Sequence, residues 1–288
     1  MPATLLKGKP IADGMIEELN KEIASLKDEH DIVPTLASVL VEGDPASKSY
    51  AGRQQKSAAR IGVDYQLHEL PSGIGEQKLI DFIEKLNADD SVNGIIIQMP
   101  LPKGIDAYNV QSTIAMKKDV EGITPANMGL IVYDRPRLCP CTALSAIKMV
   151  EASGVEIPGK NLTVVGRSAI VGRPAALLML QRKYSATTTV CHTGTAKAGK
   201  LAEQVGNADI VIAAAGSPEL VKGEWIKEGS VVVDVGFNWI DGKTIGDVEF
   251  EPAQERAAYI TPVPGGVGPL TVAILLHNTV EATKWQQE

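Results

Sequence analysis

The stretch that decides the fold is residues 162–180, LTVVGRSAIVGRPAALLML. Its first four residues, LTVV, form an apolar run that is typical of a buried parallel strand. Gly166 follows the strand, and Gly172 opens a helical segment that ends at Leu180. Glycine lets the chain turn sharply and lets a phosphate approach the backbone, and a helix N-terminus attracts anions. Because the spacing G-x5-G differs from the G-x-G-x-x-G dinucleotide fingerprint, the turn alone does not establish a nucleotide site.

The strand and helix pattern continues after this turn. Further strands are predicted over residues 187–191, 210–216 and 231–236, and the last two end in Gly216 and Gly236. Open α/β sheets bind ligands at the carboxyl ends of their strands. Both glycines are therefore candidate cofactor contacts, and this half of the chain is predicted to be a Rossmann-like nucleotide-binding domain.

The first half of the chain shows a second α/β pattern. Helices and strands alternate there, over residues 10–26, 35–41, 45–61, 64–70, 76–87 and 94–99. Asp44-Pro45 is typical of a helix start, with an N-cap followed by proline at the first helical position. The predicted fold class is α/β with two domains, residues 1–140 and 141–269, and a C-terminal helix, residues 270–288, that closes the first domain.

Composition and charge exclude several function classes. The formal net charge is −7 and there is no long basic run, so nucleic acid is not an expected partner. The three cysteines, Cys139, Cys141 and Cys191, show no metal-ligand spacing and suit a reducing cytoplasm. No apolar run approaches 18 residues and no secretory signal is visible, so a cytoplasmic protein with no membrane association and no metal is expected.

The end of the second strand of the Rossmann-like domain indicates which dinucleotide binds. NAD enzymes usually place Asp or Glu there to bind the ribose 2′-OH. Here the strand ends in Cys191-His192-Thr193, without an acid. Arg167 in the glycine turn and the Thr193 hydroxyl suit a 2′-phosphate, although Gly194 supplies no polar group. The expected cofactor is therefore NADP, with NAD as the alternative.

Five motifs along the chain resemble those of one known family. They are DPASKSY at 44–50, IQMPLP at 97–102, KDVEG at 118–122, GRSAIVGRP at 166–174 and PVPGGVGPLT at 262–271. In this order they resemble the bifunctional 5,10-methylenetetrahydrofolate dehydrogenase/5,10-methenyltetrahydrofolate cyclohydrolase family. The resemblance covers essentially the whole length. It implies an N-terminal α/β catalytic domain that binds folate, a C-terminal Rossmann-like NADP-binding domain, and a cytoplasmic homodimer that acts on tetrahydrofolate derivatives.

The resemblance also implies roles for individual residues. The implied catalytic residues are Tyr50, Gln54, Gln98 and Glu121. The implied substrate-binding residues are Tyr50, Gln98, Glu121, Pro264, Gly265 and Gly266. The implied cofactor-binding residues are Gly166, Arg167, Ser168, Ile170, Val171, Thr193, Gly216, Gly236 and Thr271.

Two of these positions depart from the family pattern. The pattern Y-x-x-x-K places tyrosine and lysine on one helix face, but here the face carries Tyr50 and Gln54. Lys56 follows two residues later, about 200° around the helix, and is expected to be a solvated charge. The pattern K-D-V-D-G is here KDVEG, so Glu121 extends the pterin-binding carboxylate of the family by one methylene.

The presence of Gln54 where the family pattern has lysine bears on the cyclohydrolase activity. Dehydrogenation removes a hydride and needs positioning of the substrate, whereas cyclohydrolysis needs protons to move. A glutamine amide does not titrate. The leading hypothesis is an NADP-dependent methylenetetrahydrofolate dehydrogenase whose cyclohydrolase activity is lost or very weak. The alternatives are a fully bifunctional enzyme that uses Lys56 or a bound water, a non-catalytic folate- or NADP-binding protein, and a dehydrogenase for a related reduced pterin.

Overall fold

The computed structural model describes residues 2–288. Its strands are β1 (Thr4–Leu5), β2 (Thr35–Val41), β3 (Asp64–Leu70), β4 (Gly94–Ile97), β5 (Asn161–Val165), β6 (Thr187–Cys191), β7 (Ile210–Ala213), β8 (Val231–Asp234), β9 (Asn238–Ile240), β10 (Lys243–Ile245) and β11 (Tyr259–Ile260). Its α-helices are α1 (Gly8–His30), α2 (Pro45–Ile61), α3 (Glu76–Ala88), α4 (Ala107–Ser112), α5 (Pro125–Val132), α6 (Cys141–Ala152), α7 (Gly172–Leu180), α8 (Thr193–Lys197), α9 (Leu201–Gly206), α10 (Phe250–Gln254) and α11 (Gly268–Gln286). Short 3-10 turns lie at Met116–Lys118 and Gly223–Trp225.

The chain divides into two compact units. The three-stranded unit comprises Asp13–Cys139 and Val272–Glu288. The six-stranded unit comprises Pro140–Thr271 and the described residues up to Ala12. Both units contain parallel sheets connected by helices, which confirms the predicted α/β class with two domains.

The three-stranded unit has the strand order β3-β2-β4, all parallel. All seven residues of β2 are buried, as is typical of a parallel sheet that is covered on both faces. The helix α2 has the predicted ends: the Asp44 carboxylate accepts hydrogen bonds from the N–H groups of Ala46 and Ser47, and Gly62 ends the helix in the left-handed region at φ 78°. These two caps define the ends of the helix that carries Tyr50 and Gln54.

The six-stranded unit has the strand order β1-β11-β8-β7-β5-β6, all parallel. Its core is aliphatic, and the strands β7 and β8 are buried along their whole length. The turn after β5 requires glycine at two places. Gly166 has φ 127°, and a Cβ there would collide with the carbonyl oxygen of Ala214. A Cβ on Gly172 would collide with the carbonyl oxygen of Gly166.

The unit boundaries differ from the predicted ranges at the N-terminal end. The short strand β1 pairs with β11, so the described segment up to Ala12 belongs to the six-stranded unit. The sequence analysis had placed this segment in the first domain, residues 1–140. A strand of two residues is too short to show a periodicity in the sequence. At the other end, Asn278 in α11 donates hydrogen bonds to the carbonyls of Val120 (2.8 Å) and Cys139 (2.9 Å), which lie in the three-stranded unit.

Candidate functional site

In the three-stranded unit, Gln54 is the centre of a buried polar group. It is fully buried on α2, and its Oε1 accepts hydrogen bonds from Tyr65 Oη (2.9 Å) and from Gln98 Nε2 (2.7 Å). Gln98 directly follows β4, at the carboxyl end of the strand, and its Nε2 also donates to Ser38 Oγ (3.0 Å). The helix α2 and all three strands of the sheet thus contribute to one network.

The Nε2 group of the Gln54 amide takes no part in this network. It is buried and has no hydrogen-bond partner among residues 2–288. A buried donor without a partner costs about 1–3 kcal/mol. The cost disappears when an acceptor arrives, so this N–H group is suited to bind a ligand. The site therefore offers an amide donor at position 54, and this amide has no titratable proton.

Tyr65 is a site residue that the sequence analysis missed. Burial raises the pKa of Tyr65 to about 12, the hydrogen bond with Ser38 opposes the shift, and nearby Tyr50 adds to it. Tyr65 therefore stays a neutral donor toward Gln54. The only signal in the sequence was its inward position in an alternating strand, which is typical of ordinary core residues as well.

Tyr50 and Lys56 lie on α2 with different surroundings. Tyr50 is half-buried, close to Tyr65, and its ring centroid lies 5.5 Å from the Arg53 guanidinium carbon. Lys56 is exposed, in agreement with the expected solvated charge. The structure thus brings Tyr50, Gln54 and Gln98 to one region and leaves Lys56 outside it.

Glu121 lies in the segment 118–122, and the residues before and after Glu121 are fixed by contacts with other parts of the unit. Lys118 Nζ donates to the carbonyls of Leu86 (3.1 Å), Asn87 (2.8 Å) and Asp89 (2.7 Å) at the C-terminal end of α3, a favourable place for a cation. Asp119 forms a parallel bridge with Ile95 in β4. On the other side, a Cβ on Gly122 would collide with Cys139 backbone atoms.

The Glu121 carboxyl group is in an unusual environment. The residue is partly exposed as a whole, but its Oε2 is buried and has no partner within the described chain. Burial raises the pKa of Glu121 to about 8, and the neighbouring Asp119 carboxylate adds to the shift. Glu121 is therefore mostly protonated at neutral pH. No hydrogen bond among residues 2–288 joins Glu121 to Gln54 or Gln98.

In the six-stranded unit, the glycine turn forms one wall of a cavity of about 350 Å³. The cavity lies at the carboxyl ends of β5, β6 and β7, where open α/β sheets bind ligands. Four of the predicted cofactor residues are brought together here. The residues that line the cavity are Val165, Gly166, Arg167, Ser168, His192, Thr193, Ala196, Leu201, Ala214, Ala215, Ser217 and Leu220.

The donor set of this cavity fits a phosphate-bearing dinucleotide. Arg167 and Thr193 are exposed at its wall, and the residues that line it in the described chain include no carboxylate. The Ser168 hydroxyl oxygen accepts hydrogen bonds from the N–H groups of Val171 (3.1 Å) and Gly172 (3.3 Å) and so orders the start of α7. A positive, hydroxyl-bearing wall without acids suits an anionic ligand.

The remaining predicted cofactor residues do not line this cavity. Ile170 is exposed beside Val171 in the turn, and Gly216 lies between two lining residues. A Cβ on buried Gly236 would meet the Asp247 carboxylate. Thr271 Oγ1 donates to the Gly268 carbonyl (2.7 Å) in the first turn of α11.

The proline- and glycine-rich loop before α11 also lies in the six-stranded unit. Pro264 and Gly265 are exposed, and Gly265 has φ 107°. Gly266 is buried and donates to the Pro262 carbonyl (2.8 Å), and the Gly8 N–H donates to the Gly265 carbonyl (2.9 Å). The loop is therefore braced by the start of α1.

The part of the chain that the structure describes contains neither a metal cluster nor a membrane span. Among residues 2–288, no group of three or more His, Cys, Asp or Glu side chains is arranged to hold a metal ion. Within the same residues, no helix is both long and apolar enough to span a bilayer.

Comparison with known proteins matches one part of the chain to a catalytic domain and the other part to an NAD(P)-binding domain. The profile of the tetrahydrofolate dehydrogenase/cyclohydrolase catalytic domain matches residues 6–121, and the profile of the tetrahydrofolate dehydrogenase/cyclohydrolase NAD(P)-binding domain matches residues 140–287. A protein of Geotalea uraniireducens described as "Bifunctional protein FolD" is 47% identical over 283 residues, which is 98% of this chain and 99% of that protein.

Solved structures are similar over the whole chain. The bifunctional enzyme FolD, a methylenetetrahydrofolate dehydrogenase/cyclohydrolase, from Campylobacter jejuni has a TM-score of 0.94 at 39% identity and covers 99% of both chains. The FolD enzyme of Trypanosoma brucei, complexed with NADP cofactor and an inhibitor, has a TM-score of 0.93 at 37% identity and covers 100% of this chain and 99% of that one. The chain therefore belongs to the tetrahydrofolate dehydrogenase/cyclohydrolase family.

Proposed function

We propose that this protein oxidises 5,10-methylenetetrahydrofolate to 5,10-methenyltetrahydrofolate with NADP and that its cyclohydrolase activity is lost or very weak. Family membership supports the dehydrogenase half. The single observation that supports the loss of the cyclohydrolase activity is the hydrogen bonding and chemistry of the Gln54 amide. Its Oε1 accepts two hydrogen bonds, which an ammonium group in the same place cannot do, and its Nε2 supplies no titratable proton.

For the dehydrogenase step, the residues of the three-stranded unit have to orient the substrate. A hydride leaves the carbon that bridges N5 and N10, and the two nitrogens stabilise the resulting cation, so no side chain has to remove a proton. Gln98 donates to Ser38 and Gln54 through Nε2, which leaves its Oε1 as an acceptor for the ligand. The Gln54 N–H group and Glu121 supply two further polar contacts for the pterin and bridge region. Holding the reacting carbon in the correct position by itself accelerates the hydride transfer strongly.

NADP, when bound, accepts the hydride. We propose that Gly166, Arg167, Ser168 and Thr193 hold it, because these residues line one cavity with an exposed cation and no acid in the described chain. The T. brucei relative was solved with NADP, which supports the same cofactor here. NAD remains the alternative, and the ratio of kcat/KM for the two cofactors distinguishes them. The other predicted contacts, Ile170, Val171, Gly216, Gly236 and Thr271, stay predictions.

The cyclohydrolase step is different because a water molecule attacks the methenyl carbon and loses a proton, while a nitrogen gains one. Such general acid–base help is worth about 10²–10⁴-fold. The bifunctional alternative needs another group in place of the lysine, and exposed Lys56 is two residues and about 200° away from Gln54 around α2. Its position does not support that role.

The experiment that tests the proposal adds methylenetetrahydrofolate and NADP to the purified protein and follows NADPH and methenyltetrahydrofolate together. Equal formation of both species, with methenyl decay at the rate of a protein-free sample, is the expected result. Decay that depends on the protein concentration would contradict the loss of the cyclohydrolase. Absence of NADPH formation would contradict the dehydrogenase and would favour a binding protein.

We also propose a cytoplasmic homodimer, as the resemblance implies. The hairpin β9–β10 and the residue before it expose large apolar side chains, with Phe237 70% and Trp239 69% exposed. Exposed apolar surface of this kind is typical of protein–protein contacts. Analytical ultracentrifugation of the parent protein and of Trp239→Ala tests the dimer, and a monomer for the parent protein would contradict it.

A further inference from the structure

Asp247, which the sequence analysis did not single out, binds three consecutive backbone N–H groups. Its Oδ2 accepts from the N–H of Ala215 (2.6 Å) and Gly216 (2.8 Å), and its Oδ1 accepts from the N–H of Ser217 (2.9 Å) and from Asn238 Nδ2 (3.0 Å). The residue is fully buried. Hydrogen bonds to an ionised carboxylate are short and strong, so this side chain holds the loop 215–217 firmly.

The loop 215–217 is part of the cofactor cavity. Ala215 and Ser217 line it together with Arg167 and Ser168. Gly216 lies between them in the left-handed region at φ 62°, and a Cβ there would meet no protein atom within 4 Å. Since the three N–H groups are bound to Asp247, they are not available as donors to a ligand in the cavity. A ligand in the cavity therefore depends on the shape of the loop and not on its backbone donors.

The position of Asp247 is itself determined by its neighbours. Its own N–H donates to Asp234 Oδ1 (2.9 Å), and the N–H of Val248 donates to Asp234 Oδ2 (2.9 Å). Asp234 ends the buried strand β8. A Cβ on Gly236 would collide with Asp247, and one on Gly246 would collide with Asp234. The lack of a side chain at Gly236 and Gly246 therefore makes room for the carboxylates of Asp247 and Asp234. These two carboxylates connect the end of β8 to the loop after β7.

We propose that Asp247 is a positioning residue for the dinucleotide: it holds residues 215–217 in the conformation that the bound cofactor requires. The proposal rests on the proposed use of NADP at this cavity. Asp247 itself does not touch the ligand. Its removal should weaken cofactor binding and leave the three-stranded unit, with its folate contacts, unchanged.

The test compares Asp247→Asn with the parent protein by calorimetric titration with NADP+. In Asp247→Asn an amide N–H group faces backbone donors, and we expect the Kd for NADP+ to rise about tenfold or more, equivalent to about 1.4 kcal/mol. The KM for the folate substrate should stay within about twofold of the parent value. Asp247→Glu, which keeps the charge but not the length, should recover part of the affinity.

Asp209→Asn is the matched control. Asp209 lies in the same unit just before β7, at the amino-terminal end of the strand, where it accepts from the N–H of Asn161 (3.0 Å) and pairs with Lys227 (2.7 Å). Asp209→Asn should lower the Tm without changing the Kd. A Kd for Asp247→Asn within about twofold of the parent value, whatever its Tm, would overturn the proposal.

Hydrogen exchange on the parent protein gives a second test that does not depend on a variant that folds. The amides of residues 215–217 should be protected in the absence of NADP+, because they are bound to Asp247. Free exchange there, with protection appearing only on addition of cofactor, would overturn the proposal. If the parent protein binds NAD+ and not NADP+, the proposed cofactor is wrong, and the same variants are then titrated with NAD+. If it binds neither, the proposed dinucleotide site itself is wrong.

Discussion

Gln98 Nε2 donates a 2.7 Å hydrogen bond to Gln54 Oε1, so the two amides lie side by side with fixed orientations. Tyr65 donates to the same oxygen, and Gln98 also donates to Ser38. This arrangement leaves the Gln54 N–H group without a protein partner in the described chain. Position 54 is therefore occupied by a neutral amide whose oxygen accepts hydrogen bonds from two neighbouring side chains.

The hydrogen bonds to Gln54 should contribute to stability. Gln54→Met preserves length but leaves the donors of Tyr65 and Gln98 without their acceptor. We expect the free energy of unfolding to fall by about 2 kcal/mol, since each buried donor left unsatisfied costs about 1–3 kcal/mol and the unpartnered Nε2 is removed at the same time. Urea denaturation measures the change. Gln55→Met, at the exposed neighbouring position, is the control and should change stability by less than about 0.5 kcal/mol.

Much of the fold could be predicted from the sequence because local signals determine it. The helix α2 has a capping side chain at Asp44 and a left-handed glycine at Gly62, and the strand Thr187–Cys191 lies where its pattern predicts it. The hairpin β9–β10 was missed although Asp241-Gly242, both at positive φ, is a typical hairpin turn signal. Its flanking strands of three residues each are too short to show an alternation.

The site was less predictable because its important contacts are tertiary. Gln54 and Gln98 could be placed from the resemblance, but the partner of Gln54 on β3, Tyr65, could not. Asp247 binds N–H groups 30 to 32 residues earlier in the chain, which no local pattern indicates. Similarly, the raised pKa of Glu121 comes from burial and from Asp119, and burial depends on the packing of the whole unit.

Arg167 should set the preference for NADP over NAD. Arg167→Ala is expected to lower kcat/KM with NADP by about 10- to 150-fold and to leave kcat/KM with NAD nearly unchanged, because a charge-assisted bond to the 2′-phosphate is worth about 1.5–3 kcal/mol. Steady-state kinetics with both cofactors measure the effect. Arg173→Ala is the matched control, since Arg173 is an exposed cation in the first turn of α7 and does not line the cavity. Equal losses in the two variants, or an unchanged affinity for NADP in Arg167→Ala, would contradict the assignment.

The Glu121 carboxyl group should make stability depend on pH. Burial raises its pKa to about 8, so the folded state binds a proton more tightly than the unfolded chain does. The free energy of unfolding should therefore fall as pH rises from about 5 to 8, with a slope of up to about 1.4 kcal/mol per pH unit from this group. Glu121→Gln removes this contribution, so its stability relative to the parent protein should increase across that range.

Chemical denaturation at several pH values checks this difference between Glu121→Gln and the parent protein. Glu84→Gln, at an exposed position on α3, is the control and should follow the parent curve. Parallel curves for Glu121→Gln and the parent protein would show that the Glu121 carboxyl group titrates normally.

Glu121 should also act in folate binding and not in cofactor binding. Glu121→Ala is expected to raise the KM for the folate substrate and lower turnover, while the Kd for NADP+ stays unchanged, because Glu121 and the cofactor cavity lie in different units. Steady-state kinetics and titration with NADP+ measure the two effects separately. Unchanged folate kinetics would show that other residues hold the pterin and would favour a related reduced pterin as substrate.

Because Gln54 supplies no titratable proton, we expect the protein to lack cyclohydrolase activity and to retain dehydrogenase activity. The most direct measurement is the rate of methenyltetrahydrofolate hydrolysis with the parent protein, Gln54→Lys and Lys56→Ala, each compared with a protein-free sample. We predict that the parent protein and Lys56→Ala match the protein-free rate, and that Gln54→Lys exceeds it if Tyr65 and Gln98 adjust to an ammonium group. Protein-dependent hydrolysis by the parent protein that is abolished in Lys56→Ala would contradict this prediction and would make Lys56 the working base.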